Sequence, residues 1–269
     1  MKTETEETSP ELQREIDRVR ALISNPESRK SPRDGGGPLV KGIRPRNAAT
    51  IILLDGTGGD MRILMGRRNR NLAFMPGALV FPGGRVDPAD GSIPSADELQ
   101  PPVRRTLMAH MKINATARGA RALGMAAIRE LAEEAGLLIG RQGASFPSMH
   151  GDWAVFRDRG VAPCLSGLRL LSRAITPPGR TRRFDTWFFL ARAEDVGHVP
   201  EGGFEACGEL EELRWIRPRD AMEAETREIT RVMLVELMHR LERDPGIDPE
   251  YPAAFYETIR NSFRKTMMT

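Results

Sequence analysis

Cysteine is scarce in this chain: its 269 residues contain two, Cys164 and Cys207. Two thiols cannot build a disulfide framework, and this pair lacks the short spacing of a metal-binding motif. No apolar run approaches the roughly 18 residues that a transmembrane helix needs, so an integral membrane protein is excluded. The acidic stretch from Met1 to Glu7 has neither the apolar core of a secretory signal nor the Arg-rich composition of a transit peptide. We therefore expect a protein of the reducing cytoplasm that does not associate with membranes.

A large excess of charge of one sign is also missing. The 40 basic and 37 acidic residues leave a net charge of +3, and aromatic residues make up only 6% of the chain. No dense Lys/Arg stretch is interleaved with aromatic residues, so a nucleic-acid polymer is not an expected partner. Of the 40 basic residues 35 are Arg, whose forked guanidinium binds phosphate. This bias is compatible with a phosphorylated small-molecule substrate, although genomic codon bias would produce the same composition.

Composition and periodicity divide the chain into three segments. Residues 1–46 are rich in charge, Ser, Pro and Gly, which predicts a flexible extension with a short helix from Pro10. Residues 47–243 carry the regular apolar patterns of a folded domain. Residues 244–269 form a C-terminal tail without an assigned element.

Apolar runs and helical periodicity predict the elements of the folded domain. A hairpin is expected from residues 48–54 and 61–65, joined by a Gly- and Asp-rich turn. Further strands are expected at 78–81, 165–175, 186–191 and 213–216, and helices at 103–111, 120–135 and 226–243. Residues 85–118 are polar and punctuated by Pro.

The most informative segment, residues 129–137, reads Arg-Glu-Leu-Ala-Glu-Glu-Ala-Gly-Leu. On a helix, Glu130, Glu133 and Glu134 fall within an arc of about 100°, with apolar residues on the opposite side. Like charges at these spacings destabilise a helix, whereas a hard divalent cation such as Mg²⁺ would reverse that cost. A solvated acidic face is the simpler alternative. The upstream Gly83-Gly84 pair favours a site, since glycines let backbone approach a metal or phosphate closely.

Gly84 together with residues 129–137 resembles the Nudix box, in which a Gly precedes Arg-Glu-apolar-x-Glu-Glu-x-Gly-apolar. The resemblance implies a Nudix-type α/β/α sandwich with a mixed, curved sheet. It also implies metal-dependent hydrolysis of a diphosphate linkage in a nucleoside diphosphate joined to another moiety. Mg²⁺ or Mn²⁺ would be held by Glu130, Glu133, Glu134 and the Gly84 carbonyl. Arg129 would orient a glutamate, and one glutamate would double as general base.

Many members of the family add a carboxylate from a later loop. Glu209, six positions before Trp215, is the candidate for that further metal ligand, with Glu205 and Glu211 as competing positions.

The chain departs from the family's spacing. Gly84 and Arg129 are 129 − 84 = 45 positions apart where the box has 14, so about 31 residues are inserted. Asp90 stands at the formal position of the first Glu of the box. Because the insertion emerges next to Gly84, we expect residues 85–118 to form a cap beside the active site, outside the core.

Residues 74–87 and 182–186 resemble an insert-containing Nudix subgroup of the peroxisomal coenzyme A diphosphatase type and its bacterial relatives. The coenzyme A signature before the box is matched at Leu64, Arg68, Gly77 and residues 81–84. Asn69 and Ala73 replace two of its expected residues.

The resemblance gives Arg68, Arg85 and Arg183 as candidate substrate-binding residues and coenzyme A or an acyl derivative as a candidate substrate. Two alternatives stay open: a Nudix hydrolase for a nucleoside triphosphate, nucleotide sugar or dinucleotide, and a non-catalytic ligand sensor. The intact carboxylates favour catalysis. A homodimer is also left open.

Overall fold

The computed structural model describes residues 10–24, 42–71, 77–205, 208–259 and 262–269. Within these ranges the helices are α1 (Pro10–Ser24), α2 (Pro101–His110), α3 (Ala117–Ala135), α4 (Ala154–Asp158), α5 (Pro218–Glu223) and α6 (Glu228–Arg243). The strands there are β1 (Arg46–Asp55), β2 (Arg62–Arg68), β3 (Leu79–Val80), β4 (Gly83–Arg85), β5 (Leu138–Gln142), β6 (Val161–Pro163), β7 (Arg169–Ile175), β8 (Phe184–Arg192), β9 (Val196–His198), β10 (Leu210–Ile216), β11 (Ala253–Ile259) and β12 (Ser262–Met268).

A mixed sheet forms the centre of the fold. Its strands follow the order β10-β2-β1-β8-β7-β11-β12, with β3 added to β2 and β4 added to β1. The pairs β1–β8 and β7–β11 are parallel, and the other pairs in this sheet are antiparallel. A second, smaller sheet has the order β6-β5-β9.

Alternation along β1 explains the layers on either side of the sheet. Ala49, Ile51 and Leu53 are fully buried in one core cluster with residues of α3. Ile52 and Leu54 point to the opposite face and are buried in a second cluster with residues of α6. A strand buried on both faces reads as a continuous apolar run, as this one does. The predicted α/β/α sandwich with a mixed sheet is confirmed.

Most predicted elements are present at close to the expected positions. The β1–β2 hairpin pairs Leu54 with Ile63 and Asp55 with Arg62 across the predicted turn. The helices α2, α3 and α6 begin and end within about three residues of the predicted bounds. None of the helices in the described ranges combines the length and apolarity required to cross a membrane.

Residues after 243 do not form a tail set apart from the domain. β11 pairs in parallel with β7, and β12 pairs with β11 in a hairpin, so both strands extend the central sheet. Ala254 and Tyr256 are buried beneath α6. Tyr256 and Lys265 both donate hydrogen bonds to the Glu236 carboxylate of α6. Sequence analysis did not predict the β11–β12 hairpin, because its apolar run is only four residues long and its outer strand is mostly polar.

The insertion is also placed differently from the expected cap. Val103 and Leu107 of α2 are buried in the same core cluster as Leu123 of α3, so the segment belongs to the core. The Asp97 carboxylate accepts hydrogen bonds from the backbone amides of Leu165 and Ser166. The expectation that residues 85–118 lie outside the core is therefore wrong. The apolar stripe of α2 covers α3 because that side of α3 would otherwise be exposed to water.

The N-terminal helix α1 packs on α6 through Val19, which is 4% exposed. Residues 25–41 of the predicted flexible extension lie outside the described residues.

Candidate active site

The helix α3 presents the carboxylates that the sequence singled out. Thr116 caps its N-terminus by accepting a hydrogen bond from the Gly119 amide at 3.1 Å, and Gly136 ends it in the left-handed conformation with φ of 71°. Ile128 and Leu131 are fully buried and anchor the opposite side of the helix in the core. The glutamates are thereby directed away from the core, towards β4.

Two glycines in β4 allow the glutamates to approach the backbone. Gly83 and Gly84 pair with Thr50 and Ala49 of β1. The Gly83 amide donates a 2.9 Å hydrogen bond to Oε2 of Glu134. A Cβ placed on Gly84 would lie 2.4 Å from Oε2 of Glu130, closer than any non-bonded contact allows. A larger residue at position 84 would therefore displace the Glu130 carboxylate from the position in which Arg129 holds it.

Arg129 gathers the acidic groups around its guanidinium. It is 6% exposed and donates to Glu130 at 2.9 Å, to Glu133 at 3.0 Å and to the Arg85 carbonyl at 2.8 Å. Although burial alone would lower it, the pKa of Arg129 is raised by its hydrogen bond to Asp90 and by the charge of Glu130. Arg129 therefore stays charged and fixes the orientation of two of the glutamates.

Asp90 is a part of the site to which sequence analysis assigned no role. Its side chain is fully buried, and both of its oxygens accept hydrogen bonds from Arg129, at 3.0 Å from Nε and 3.2 Å from Nη2. The only signal in the sequence was the count from Gly84, which puts Asp90 at the formal position of the first Glu of the box. The structure keeps that position beside Arg129 in spite of the insertion.

Burial perturbs two of the glutamates. It raises the pKa of Glu134 to about 8, although the Gly83 amide opposes the shift and the charge of Glu130 adds to it. Burial likewise raises the pKa of Glu130 to about 7, against the opposing charge of Arg129. Glu133 is the more exposed neighbour, with 39% of its side chain accessible. Burial therefore favours the protonated, neutral form of Glu130 and Glu134.

The structure places Glu209 close to this group. Its Oε2 lies 3.6 Å from Nη2 of Arg68, and both residues line the same cleft as Glu130 and Glu133. The competing position Glu211 accepts a 2.6 Å hydrogen bond from Asn69, and the Glu205 amide donates to the Ala135 carbonyl at the end of α3. Of the three loop carboxylates, Glu209 lines the cleft.

Asn69 holds that loop in place. Its backbone amide donates to the Glu209 carbonyl at 3.0 Å, and its side-chain amide donates to the Gly208 carbonyl at 3.2 Å. This residue departs from the coenzyme A signature, and here it ties the loop of Glu209 to the end of β2. The signature residues 72–76, including Ala73, lie outside the described residues.

The cleft itself has a volume of about 2260 Å³ and runs along the α6 side of the sheet, beside Gly83 and Gly84. From the insertion, only residues 85–88 and Asn114 line it. Arg85 is exposed at its rim. Arg183 also lines it but donates to the backbone carbonyls of Ile43 at 2.7 Å and Thr176 at 3.1 Å, which occupies two of its three nitrogens.

Comparison of the chain with known proteins identifies its family. No family model matches the chain. Nudix hydrolase 7 of Caenorhabditis elegans is 30% identical over 190 residues, which cover 66% of this chain and 53% of that protein. The crystal structure of a NUDIX hydrolase from Alicyclobacillus acidocaldarius superimposes with a TM-score of 0.57 at 25% identity, covering 77% of this chain and 99% of that one. The chain belongs to the Nudix superfamily.

A second Nudix relative is the acyl-coenzyme A diphosphatase NUDT19 of Gallus gallus. It is 29% identical over 239 residues, which cover 66% of this chain and 62% of that protein. The chain thus spans between about half and three-fifths of the length of the curated relatives that it matches.

Nudix hydrolases generally depend on divalent metal ions. In the part of the chain that the structure describes, no three His, Cys, Asp or Glu side chains converge closely enough to hold one ion. Arg129 bridges Glu130 and Glu133, so a cation would compete with it for these oxygens. The donors themselves fit a hard cation, because they are carboxyl oxygens.

Proposed function

We propose that this chain hydrolyses a diphosphate linkage in a nucleoside diphosphate joined to another moiety. The observation that carries the proposal is the placement of Glu134 against Gly83 and of Glu130 against Gly84, where Glu130 and Glu133 line a cleft large enough for a nucleotide. Family members act on pyrophosphate bonds, and this chain retains the residues on which the box resemblance depends.

The residues proposed to hold Mg²⁺ or Mn²⁺ are Glu130, Glu133, Glu134, the Gly84 carbonyl and Glu209. When bound, the ion would neutralise charge on the bridging and leaving oxygens of the diphosphate. The burial of Glu130 and Glu134 supports this assignment, since a divalent cation would offset the cost of ionising a buried carboxyl group.

The chain's own side chains supply orientation and proton transfer. Arg129 holds Glu130 and Glu133 at fixed angles, so these carboxylates need little reorganisation during the reaction. A general base works best with a pKa near the operating pH, and the raised pKa values of Glu130 and Glu134 meet that condition. We assign the proton-accepting oxygen to one of these two residues. To Arg68, whose side chain is 15% exposed beside Glu209, we assign a hydrogen bond to a phosphate oxygen.

Coenzyme A or an acyl-coenzyme A is the proposed substrate. The similarity to an acyl-coenzyme A diphosphatase supports it, as do the signature residues Leu64, Arg68 and Gly77. The cleft has an apolar side below α6, lined by Val80, Phe188, Ile229 and Phe263, which could accept an uncharged arm of the substrate.

A substrate panel tests this proposal. Purified protein is incubated with Mg²⁺ or Mn²⁺ and coenzyme A, acetyl-coenzyme A, ADP-ribose, a dinucleoside polyphosphate, a nucleotide sugar and a nucleoside triphosphate. We expect coenzyme A to be cleaved to 3′,5′-ADP and 4′-phosphopantetheine, identified by mass spectrometry. Glu133→Gln is the matched control for contaminating activity.

Cleavage of another member of the panel would redirect the substrate assignment within the Nudix family. Tight binding of a nucleotide without turnover of any substrate would point to a ligand sensor and refute catalysis.

The cytoplasmic location stays a prediction, and a homodimer is tested by light scattering.

A further inference from the structure

One end of the cleft carries arginines that the diphosphate chemistry does not use. Arg44, Arg46 and Arg182 are exposed and line the cleft where β1 and β8 begin. None of the three forms an ion pair with a carboxylate among the described residues. Many other arginines do, such as Arg67 with Glu212 at 2.9 Å.

Strand pairing brings these arginines to the same edge. Arg46 lies opposite Phe184 in the parallel pair β1–β8, and the Arg46 amide donates to the Arg183 carbonyl at 3.0 Å. Arg182 precedes β8 by two residues and therefore lies beside the start of β1. Gly84 pairs with Ala49, three residues further along β1. With strands about 4.8 Å apart and residues about 3.3 Å apart, the Arg46 backbone lies roughly 11 Å from Gly84.

Acidic side chains near this end of the cleft have other partners, and two of them, Asp185 and Glu257, line a neighbouring pocket. Asp185 accepts from the Arg173 guanidinium at 2.6 Å, and Glu257 lies 3.4 Å from the Lys112 ammonium. Asp87 accepts a 2.7 Å hydrogen bond from the Ala89 amide. Among the described residues, the cleft thus has carboxylates beside Gly84 and, at the start of β1 and β8, arginines that form no ion pair.

We propose that Arg46 and Arg182, with Arg44 beside them, form a subsite for a phosphate monoester that the substrate carries in addition to its diphosphate. The inference rests on the proposed function, because the diphosphate is taken to lie at the carboxylates. Guanidinium groups bind phosphate through paired, charge-assisted hydrogen bonds, and a dianionic monoester matches two or three of them. The substrate class is thus a nucleotide phosphorylated on its sugar, as distinct from a plain nucleoside diphosphate derivative.

The test compares two substrates that differ only in this group, coenzyme A and 3′-dephospho-coenzyme A, with Mn²⁺ present. In the double variant Arg46→Ala/Arg182→Ala we expect kcat/KM for coenzyme A to fall about 30-fold, mainly through KM. The value for the dephospho substrate should change less than about threefold. The variant Arg46→Lys/Arg182→Lys keeps both positive charges and should lose less of kcat/KM for coenzyme A than the Ala variant. Arg104→Ala, an exposed α2 residue that does not line the cleft, removes the same kind of charge and should behave as wild type.

The outcomes separate the subsite from the proposed function. Equal use of both substrates by the wild type, or an equal loss on both in the double variant, overturns the subsite while leaving hydrolysis standing. If neither substrate is cleaved, the proposed activity on coenzyme A fails. Binding of 3′,5′-ADP and 5′-AMP by calorimetry then decides the subsite alone. Tighter binding of 3′,5′-ADP that disappears in the double variant supports it, and equal affinities overturn it. The subsite would also be overturned if a single-stranded oligonucleotide competed with coenzyme A for binding and 3′,5′-ADP did not.

Discussion

Asp90→Ala tests whether the insertion supports the site, because it removes one partner of a buried ion pair. Asp90 is fully buried, and its two oxygens accept from two nitrogens of Arg129. Breaking such a pair from one side costs about 3–5 kcal/mol, since the remaining charge stays buried without compensation. Arg129 retains Glu130 and Glu133, so we expect the lower end, about 3 kcal/mol. For a domain of this size that corresponds to a fall in Tm of about 6–12 °C.

The measurement is urea unfolding at pH 7 followed by circular dichroism, with Asp90→Asn as the matched control. Asn keeps the volume and one acceptor oxygen, so it should cost less than Ala. A cycle that adds Arg129→Met isolates the interaction, and we expect a coupling energy above about 1.5 kcal/mol. Activity provides a second readout, because an unbalanced Arg129 would draw Glu130 and Glu133 out of position. A loss below about 1 kcal/mol together with an unchanged kcat would refute the role given to this pair.

Four further predictions concern the same site and the insertion. Glu133→Gln and Glu134→Gln should each lower kcat at least about 100-fold without unfolding the protein, because each removes charge from the metal-binding set; near wild-type turnover at saturating Mg²⁺ in both would contradict the assignment. Gly84→Ala should lower kcat with little change in KM, since the new Cβ would lie 2.4 Å from Oε2 of Glu130; unchanged kinetics would show that this contact is easily relieved. The metal-free protein should lose stability as pH rises from about 4.5 to about 8, because the native state holds protons on Glu130 and Glu134 that the unfolded state releases first. Mn²⁺ should therefore raise Tm more at pH 8 than at pH 5.5, and an equal rise at both would refute this linkage. Deletion of residues 90–115 with a short Gly linker should yield aggregated or molten protein by near-UV circular dichroism; a folded, active deletion would mean that the insertion is dispensable.

Local pattern was enough to predict most of the fold and the main part of the candidate site. The β1–β2 hairpin and α3 are encoded by a continuous apolar run and by periodicity within a single segment. The three glutamates share one helix, so their common direction follows from helix geometry alone.

What sequence reading did not supply depends on contacts between distant segments. The β11–β12 hairpin joins the sheet through β7, about 80 residues earlier in the chain, and its own apolar run is too short to stand out. The pairing of Asp90 with Arg129 joins residues 39 positions apart. Asn69 and the Glu209 loop are 140 positions apart and are related only through strand pairing. A single sequence contains no local signal for such pairings.

The Asp90–Arg129 pair also explains how the box tolerates its insertion. Asp90 follows Gly84 by six residues, as the first Glu of the box does. The chain therefore keeps the family spacing up to Asp90, and the extra residues lie between Asp90 and Arg129. Lengthening the connection from 13 to 44 intervening residues costs only about 1 kcal/mol of loop-closure entropy. Burial of Val103 and Leu107 contributes about 1.5–3 kcal/mol each, which exceeds that cost. The insertion therefore stabilises the helix that carries the glutamates, and α2, which does not line the cleft, would affect activity through α3.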